Sequence, residues 1–200
     1  MVTDFVSQLE LYLSNADDFL PVLFCCNLVG RAAPVYQVNE ESVREMTKVP
    51  QGLLIVYHSQ SGNTERLARS VEEGALLIRS VKVRRLRATD VRVEDLRASR
   101  ALVICSPEYF GYMAGAIKDL FDRTYEELKE VTVGKPYAIV ISAGNDGTGA
   151  LNSIERIIRG YRFKKVQESI VCRGDVDSST LAQCRELGKT LAAGIDLGIY

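Results

Sequence analysis

The chain has 200 residues, a formal net charge of −1, and 46% hydrophobic and 26% charged residues. This size and balance are typical of one globular domain and argue against an intrinsically disordered chain. The near-zero charge argues against a general nucleic-acid or anionic-membrane binder, and five scattered cysteines with a single histidine indicate neither a metal site nor a disulfide framework.

Residues 1–50 carry the weakest pattern, and we predict an N-terminal extension there. Its apolar run, Leu20–Val29, is interrupted by Pro21 and too short to cross a bilayer. Acidic rather than basic residues precede the run, so we expect no secretion signal. The scattered cysteines, with no disulfide framework, make a reducing cytoplasm the default expectation. The extension is compatible with a lid or dimer arm, or with an accessory element packed on the surface. A third alternative is that Met46 marks the start of the main domain.

The first clear element is Leu53–Tyr57, an apolar, β-branched run that predicts a buried parallel strand. The polar stretch His58–Glu65 follows it. Apolar residues then recur at helical spacing: Leu67, Ala68, Val71, Ala75 and Leu76. A strand that enters a small polar loop and then a helix makes an anion-binding site, because the N–H groups at the helix start lack partners and the helix dipole favours negative charge.

The composition of this loop narrows the kind of anion. Ser59, Ser61 and Thr64 offer hydroxyl donors, and Gly62 allows a close backbone approach or a positive φ. No lysine follows the glycine, as it would in a nucleoside-triphosphate loop, and the three spaced glycines of a dinucleotide fingerprint are absent. We therefore predict a site for a compact monophosphate.

Strand and helix patterns alternate through the remainder of the chain. In order, they predict a half-exposed edge strand at Val81–Arg87, a turn and short helix at Asp90–Ala98, a buried strand at Ala101–Cys105, a helix from Ala114 to Leu128, a strand at Tyr137–Ile141, a helix at Ala150–Tyr161, a strand at Ser169–Cys172 and a helix at Ser178–Leu197. Five strands alternating with helices predict an α/β fold, with a parallel sheet covered on both faces.

Two stretches carry a resemblance to a known superfamily. Ser59–Thr64 resembles the phosphate loop of flavodoxins, and Ser106–Asp119 resembles the flavin-ring loop and following helix of flavodoxin-like NAD(P)H-dependent reductases. These reductases include the FMN reductases and the tryptophan-repressor-binding-protein-like quinone reductases. The resemblance covers about residues 50–197. It implies a flavodoxin-like α/β/α domain over residues 51–200, with a five-stranded parallel sheet in the order 2-1-3-4-5.

The resemblance also implies which residues surround FMN. The phosphate loop would be Ser59, Gln60, Ser61, Gly62, Asn63 and Thr64. The ribityl chain and isoalloxazine ring would be bordered by Pro107, Glu108, Tyr109, Phe110 and Gly111. The pyrimidine side of the ring would be approached by Ala143, Gly144, Asn145 and Asp146. All three loops should open at the carboxyl edge of the sheet, where ligands bind in such folds.

No residue needs to be a catalytic acid, because the flavin itself carries hydride in such enzymes. Glu108 and Asp146 are candidates for proton handling or nicotinamide binding, although loop carboxylates are more often simply solvated. Tyr109 or Phe110 could stack on the flavin or shape the substrate pocket, or both rings could pack against the first helix. His58 could contact the phosphate or donate a proton, but a structural role is the commoner one for such a residue.

Two further features have competing interpretations. Cys105, at the end of an apolar strand, is expected in the core. The basic residues Lys82, Arg84, Arg85 and Arg87 could attract the extra phosphate of NADPH. Protection of an edge strand and solubility explain them better.

The resemblance implies an FMN-dependent oxidoreductase with NADH or NADPH as donor and a quinone, a flavin or a similar small molecule as acceptor. The third loop, Ala143–Gly149, lacks the aromatic residue that covers the flavin in many electron carriers, which favours a reductase. A homodimer or homotetramer is expected, with no nucleic-acid or membrane partner. The alternatives are a flavodoxin-type electron-transfer protein and a flavin-binding module without reductase activity.

Overall fold

The computed structural model describes residues 52–200, so the predictions for residues 1–50 lie outside the described residues. In chain order the elements are β1 (Leu53–Tyr57), α1 (Asn63–Ala75), β2 (Val83–Arg87), α2 (Val93–Ala98), β3 (Ala101–Tyr109), β4 (Tyr112–Met113), α3 (Gly115–Leu128), β5 (Pro136–Ala143), α4 (Thr148–Tyr161), β6 (Lys164–Lys165), β7 (Ile170–Arg173) and α5 (Ser178–Asp196).

The strands form one sheet whose main path runs β2-β1-β3-β5, with both β6 and β7 paired to the far side of β5. All of these pairings are parallel. The predicted order 2-1-3-4-5 is confirmed, and the fifth predicted strand corresponds to β7. The short β6 precedes β7 and pairs with the opposite end of β5. The basic strand β2 lies at the edge of the sheet, as its alternating pattern predicts.

Both faces of the sheet are buried, which explains the nearly continuous apolar strands. On one face Leu54, Leu102 and Ile139 pack with residues of α2, α3 and α4. On the other face Ile55 and Val103 pack with residues of α1 and α5. Successive side chains of a strand point to opposite faces, so each central strand contributes to both halves of the core.

Leu76, the last of the apolar residues at helical spacing, does not belong to the buried side of α1. Leu76 has 57% of its surface exposed and stands just after the last residue of the helix. Its backbone N–H bonds the carbonyl of Glu72, four residues earlier. Residues four apart lie on the same side of a helix, and Glu72 belongs to the more polar, outer side. The buried stripe of α1 therefore ends at Ala75.

The stretch Ser106–Met113 is a β-hairpin rather than the open loop that the sequence predicts. The strand β3 continues to Tyr109, and β4 returns antiparallel to it. The two residues between the strands, Phe110 and Gly111, have φ values of 53° and 70°. Positive φ at both central residues is typical of the type I′ turn, whose twist matches that of a hairpin.

Pro107 lies inside this longer β3 without breaking it. Backbone groups of successive residues point to alternate sides of a strand, and the carbonyl of Cys105 accepts a bond from His58 on the β1 side. Pro107 therefore also faces the β1 side. Because β1 ends at Tyr57, opposite Cys105, no strand formed by residues 52–200 lies there to require the missing N–H.

None of the helices between residues 52 and 200 has both the length and the apolar character that a membrane crossing requires.

Candidate functional site

Three connections open at the carboxyl edge of the sheet. Tyr57 at the end of β1 lies opposite Cys105 of β3, and Pro107 of β3 lies opposite Ser142 near the end of β5. The polar loop after β1, the β3–β4 hairpin and the loop after β5 consequently emerge side by side. This arrangement agrees with the shared edge that the sequence predicts.

The first of these, the loop after β1, leads into α1 without a side-chain cap. The N-cap residue is Gly62, with a φ of 92°, and it provides no side chain to accept bonds from the first turn. The N–H of Gly62 itself donates to Ser59 Oγ at 3.0 Å, which holds the loop in a tight turn. By contrast, α5 is capped by Asp177, whose carboxylate accepts from the N–H of Thr180 at 2.7 Å.

The space above this loop is open as far as residues 52–200 are concerned. A Cβ placed on Gly62 would meet no atom of another described residue within 4 Å. The glycine is therefore required for its left-handed backbone and not to avoid a neighbouring group. A helix start whose first N–H groups have no side-chain cap within the described part of the chain, with a tight hydroxyl-lined turn and free space in front, fits the phosphate of FMN.

The second connection, the hairpin, contacts the first loop through Tyr109. Its ring lies edge-on to the ring of His58, with centroids 6.1 Å apart and planes at 87°. Tyr109 is half-buried and also packs against the half of the core that contains Leu102 and Ile139. Phe110, at the tip, is fully exposed. The two consecutive aromatic residues thus have different surroundings, and only Tyr109 packs inward.

The base of the hairpin is fastened to the start of α4. The carboxylate of Glu108 accepts a bond from the N–H of Ala150 at 3.1 Å, and the N–H of Met113 donates to Ser153 Oγ at 3.2 Å. The tip also touches α4 closely, since a Cβ on Gly149 would lie 2.0 Å from the carbonyl oxygen of Gly111. Glu108, a predicted catalytic candidate, therefore has a structural partner in the first turn of a helix.

The third connection is short and exposed at Gly144, Asn145 and Asp146, while Ala143 is buried at the end of β5. Asp146 Oδ1 accepts bonds from both the N–H and the hydroxyl of Thr148, at 3.0 and 2.8 Å. These bonds lower the pKa of Asp146 below its usual value. Its carboxylate is therefore charged at neutral pH and already accepts two hydrogen bonds at the start of α4. A charged carboxylate has no proton to donate.

A charged cluster beside the first loop was not predicted from the sequence. Glu65, in the first turn of α1, lies within 3.4 Å of the Tyr57 hydroxyl, 3.7 Å of Arg85 and 3.5 Å of Arg87. The two guanidinium groups lie over the Tyr57 ring, 5.2 and 5.3 Å from its centroid. The signal was the spacing of Arg85 and Arg87, because residues two apart in a strand point to the same face. We instead expected edge protection from the whole basic group.

Two other predicted residues also have defined surroundings. Burial and the nearby positive charge of Arg87 lower the pKa of His58, so its ring is neutral at pH 7. A neutral ring attracts a phosphate less than a charged one would. Cys105 is completely buried, which confirms its place in the core, and burial raises the pKa of its thiol.

A family model for NADPH-dependent FMN reductases matches residues 53–173, which is more than half of the chain. The chain belongs to the NADPH-dependent FMN reductase family. The matched region includes the uncapped start of α1, the hairpin and the loop after β5. Family membership supports FMN binding and an FMN-dependent oxidoreductase.

Individual relatives of this family member include a flavodoxin and a quinone oxidoreductase. A flavodoxin of Aquifex aeolicus is 28% identical over 156 residues, which cover 70% of this chain and 84% of the flavodoxin. A quinone oxidoreductase of Triphysaria versicolor is 30% identical over 116 residues, 48% of this chain and 57% of that protein. The chain therefore spans only a little over half the length of this enzyme.

Solved structures agree on the fold of this FMN reductase family member. An archaeal flavodoxin superimposes with a TM-score of 0.63 at 22% identity, covering 73% of this chain and 99% of the flavodoxin. The described domain therefore has the flavodoxin-like architecture, with a parallel sheet between two layers of helices.

Proposed function

We propose that the chain is an NAD(P)H-dependent FMN oxidoreductase that reduces a quinone, a free flavin or a similar small acceptor. The family match and the quinone oxidoreductase relative support this proposal. The short, exposed loop after β5 favours a reductase over an electron carrier, because it has no aromatic side chain to cover a flavin.

In this proposal the loop Ser59–Thr64 holds the phosphate of FMN. The N–H groups at the start of α1 donate to it, and the helix dipole favours its negative charge. Ser59 is already engaged by the N–H of Gly62, so its role is to shape the turn. Thr64, the second residue of α1, is almost fully buried.

The flavin ring would lie between the hairpin and the loop after β5, bordered by Pro107–Gly111 on one side and Ala143–Asp146 on the other. When bound, FMN supplies the hydride-accepting and electron-donating chemistry of the reaction. The protein's own residues orient the ring and limit access of water. We assign Glu108 to holding the hairpin on α4 and Asp146 to holding the third loop, because each carboxylate accepts bonds from that helix start.

Access of donor and acceptor depends on the exposed parts of this edge. Gly144 and Asn145 are exposed and small or polar, so they leave one approach to the ring uncovered. Phe110 stands fully exposed at the hairpin tip, and it keeps a positive φ that is uncommon for a bulky residue. We propose that Phe110 borders the planar donor or acceptor, since an aromatic ring can stack on either.

Rapid mixing with NADPH and with NADH tests this proposal. The purified, FMN-loaded chain should lose its flavin absorption on mixing with at least one donor and regain it when a quinone is added without oxygen. Failure of both donors to bleach bound FMN would contradict the reductase. A protein that is colourless and takes up no added FMN would contradict the cofactor and favour a binding module.

The flavodoxin relative, of which the chain covers 84%, favours one alternative function: an electron carrier. A carrier of this type accepts electrons in two separate one-electron steps, whereas the proposed enzyme should be reduced in a single two-electron step. A redox titration followed by absorption separates the two. Light scattering on the same sample would test the proposed homodimer or homotetramer.

A further inference from the structure

Glu65 places a negative charge beside the loop that is proposed to bind a phosphate. It is the third residue of α1, and it is the acidic residue in the first turn of that helix. A carboxylate here suits the helix dipole, but it also repels any dianion bound at the same helix start. A loop that binds phosphate therefore needs this charge to be compensated.

The carboxylate of Glu65 is directed towards the edge of the sheet. An acid at this helix position commonly bonds back to the N-cap N–H, but here that N–H, from Gly62, is taken by Ser59 Oγ. Glu65 instead receives the hydroxyl of Tyr57 at 3.4 Å and lies 3.5 Å from Arg87. Its contact with Arg85 is longer, at 3.7 Å.

The two arginines are not equivalent. Arg85 donates to Glu72 at 2.7 Å, so most of its charge is compensated by that residue. Among the described residues, Arg87 has Glu65 as its one ion-pair partner, and it is the last residue of β2, at the ligand edge of the sheet. It lies opposite Tyr57 in the ladder, and its guanidinium covers the tyrosine ring. With two positive and two negative side chains the cluster is neutral, and loss of Arg87 would leave it negative.

We propose that Arg87 is a positioning residue that acts through Glu65 to make the loop Ser59–Thr64 able to accept a dianionic phosphate. Arg87 holds the carboxylate of Glu65 at the edge of the sheet and neutralises it. This inference rests on the proposed function, because it takes the phosphate of FMN as the ligand of the loop.

A comparison of FMN with riboflavin tests the inference, because riboflavin has the same ring and ribityl chain but no phosphate. The full-length chain, freed of flavin, is titrated with each compound, and binding is followed by quenching of flavin fluorescence. Arg87→Gln should weaken FMN binding by about three- to fivefold, the upper part of the range expected for a partly exposed charge, and leave riboflavin binding within about twofold.

Two further variants separate a positioning role from a loss of structure. Arg84→Gln is the matched control, because Arg84 points to the other face of β2 and pairs with Asp95, so neither affinity should change. The double variant Glu65→Gln/Arg87→Gln should regain the FMN affinity of the parent chain, since the charge that Arg87 compensates is then absent. Arg87→Lys, which keeps the charge, should retain most of the preference for FMN.

Several outcomes would overturn the inference. One is an unchanged ratio of FMN to riboflavin affinity in Arg87→Gln, and another is a double variant that binds FMN as weakly as Arg87→Gln. A third is a defect confined to NADPH affinity, which would place Arg87 at the donor instead. If the parent chain binds neither flavin, the proposed function fails as well, whereas the first three outcomes leave that function intact.

Discussion

Replacing Gly149 with alanine should push the β3–β4 hairpin away from α4. A Cβ at Gly149 would lie 2.0 Å from the carbonyl oxygen of Gly111 and 2.5 Å from its carbonyl carbon. Relaxed contacts between such atoms need about 3.5 Å, so the hairpin tip must move by about 1.5 Å. The obstructing atoms belong to the backbone, and no change of side-chain rotamer can relieve the contact.

The size of the effect follows from two opposing contributions. Overpacking of this kind costs about 1–3 kcal/mol, and the better helix propensity of alanine offsets at most about 1 kcal/mol of it. We expect the free energy of unfolding to fall by about 1–2 kcal/mol, which lowers Tm by roughly 2–8 °C for a chain of this size. A displaced hairpin should also weaken FMN binding, because Pro107–Gly111 are proposed to border the flavin ring.

Urea unfolding and an FMN titration measure the two effects. Gly115→Ala is the matched control, because a Cβ at Gly115 meets no described atom within 4 Å, at the start of the helix that follows the hairpin. The control should keep the FMN affinity of the parent chain and be at least as stable, since alanine has the better helix propensity. If Gly149→Ala behaves like the control in both measurements, the hairpin is not held by α4 in the way described.

Four other substitutions have clear expected outcomes. Thr64→Ala and Gly62→Val should both weaken FMN binding in the same titration. The effect of Gly62→Val should be larger, because Gly62 has a φ of 92° that a β-branched residue adopts only at a cost of about 1–2 kcal/mol. Full FMN occupancy in both variants would refute the phosphate-loop assignment. Asp146→Ala should lower stability to urea, because α4 loses an acceptor for Thr148, yet leave the pH profile of flavin reduction unchanged; a shifted profile would instead make Asp146 a proton donor. Lys135 is 8% exposed, and burial lowers its pKa to about 8. Between pH 8 and 10.5 the folded state therefore binds fewer protons than the unfolded state, and the free energy of unfolding rises with pH. Compared with Lys135→Met, the parent chain should therefore gain about 2–3 kcal/mol of unfolding free energy from pH 7 to pH 10.5, and a constant difference between the two would show that Lys135 titrates normally.

The elements with the strongest patterns were predictable from the sequence. The runs at Leu53–Tyr57 and Ala101–Cys105 form buried parallel strands, because a sheet covered on both faces requires apolar residues at every position. The helix after Ala101–Cys105 also begins close to its predicted start, at Gly115 rather than Ala114. The strand order came from the resemblance, since periodicity says which segments are strands and not which ones are neighbours.

The hairpin and the charged cluster could not be predicted in the same way. Taken by itself, Pro107 argues against a strand that continues past Cys105. The bulky Phe110 before Gly111 likewise argues against a tight turn with positive φ at both residues. The structure accommodates Pro107 because β1 ends opposite Cys105, two residues earlier, and this depends on the relative lengths of two strands. The contacts of Glu65 with Arg85 and Arg87 join α1 to β2, and they depend on packing between segments about twenty residues apart.

Because α1 begins after Gly62, which has no side chain, the N–H groups of its first turn receive no side-chain cap from any described residue. The stability of the folded chain therefore depends on how much of the ligand is available to bind there. A ligand that binds only the folded chain at about a hundred times its Kd adds about 2.7 kcal/mol to stability. If FMN completes the first turn of α1, flavin-starved chains should open more often at this helix and be degraded sooner than flavin-loaded ones. The abundance of the protein in a cell would then report on flavin status before any turnover takes place.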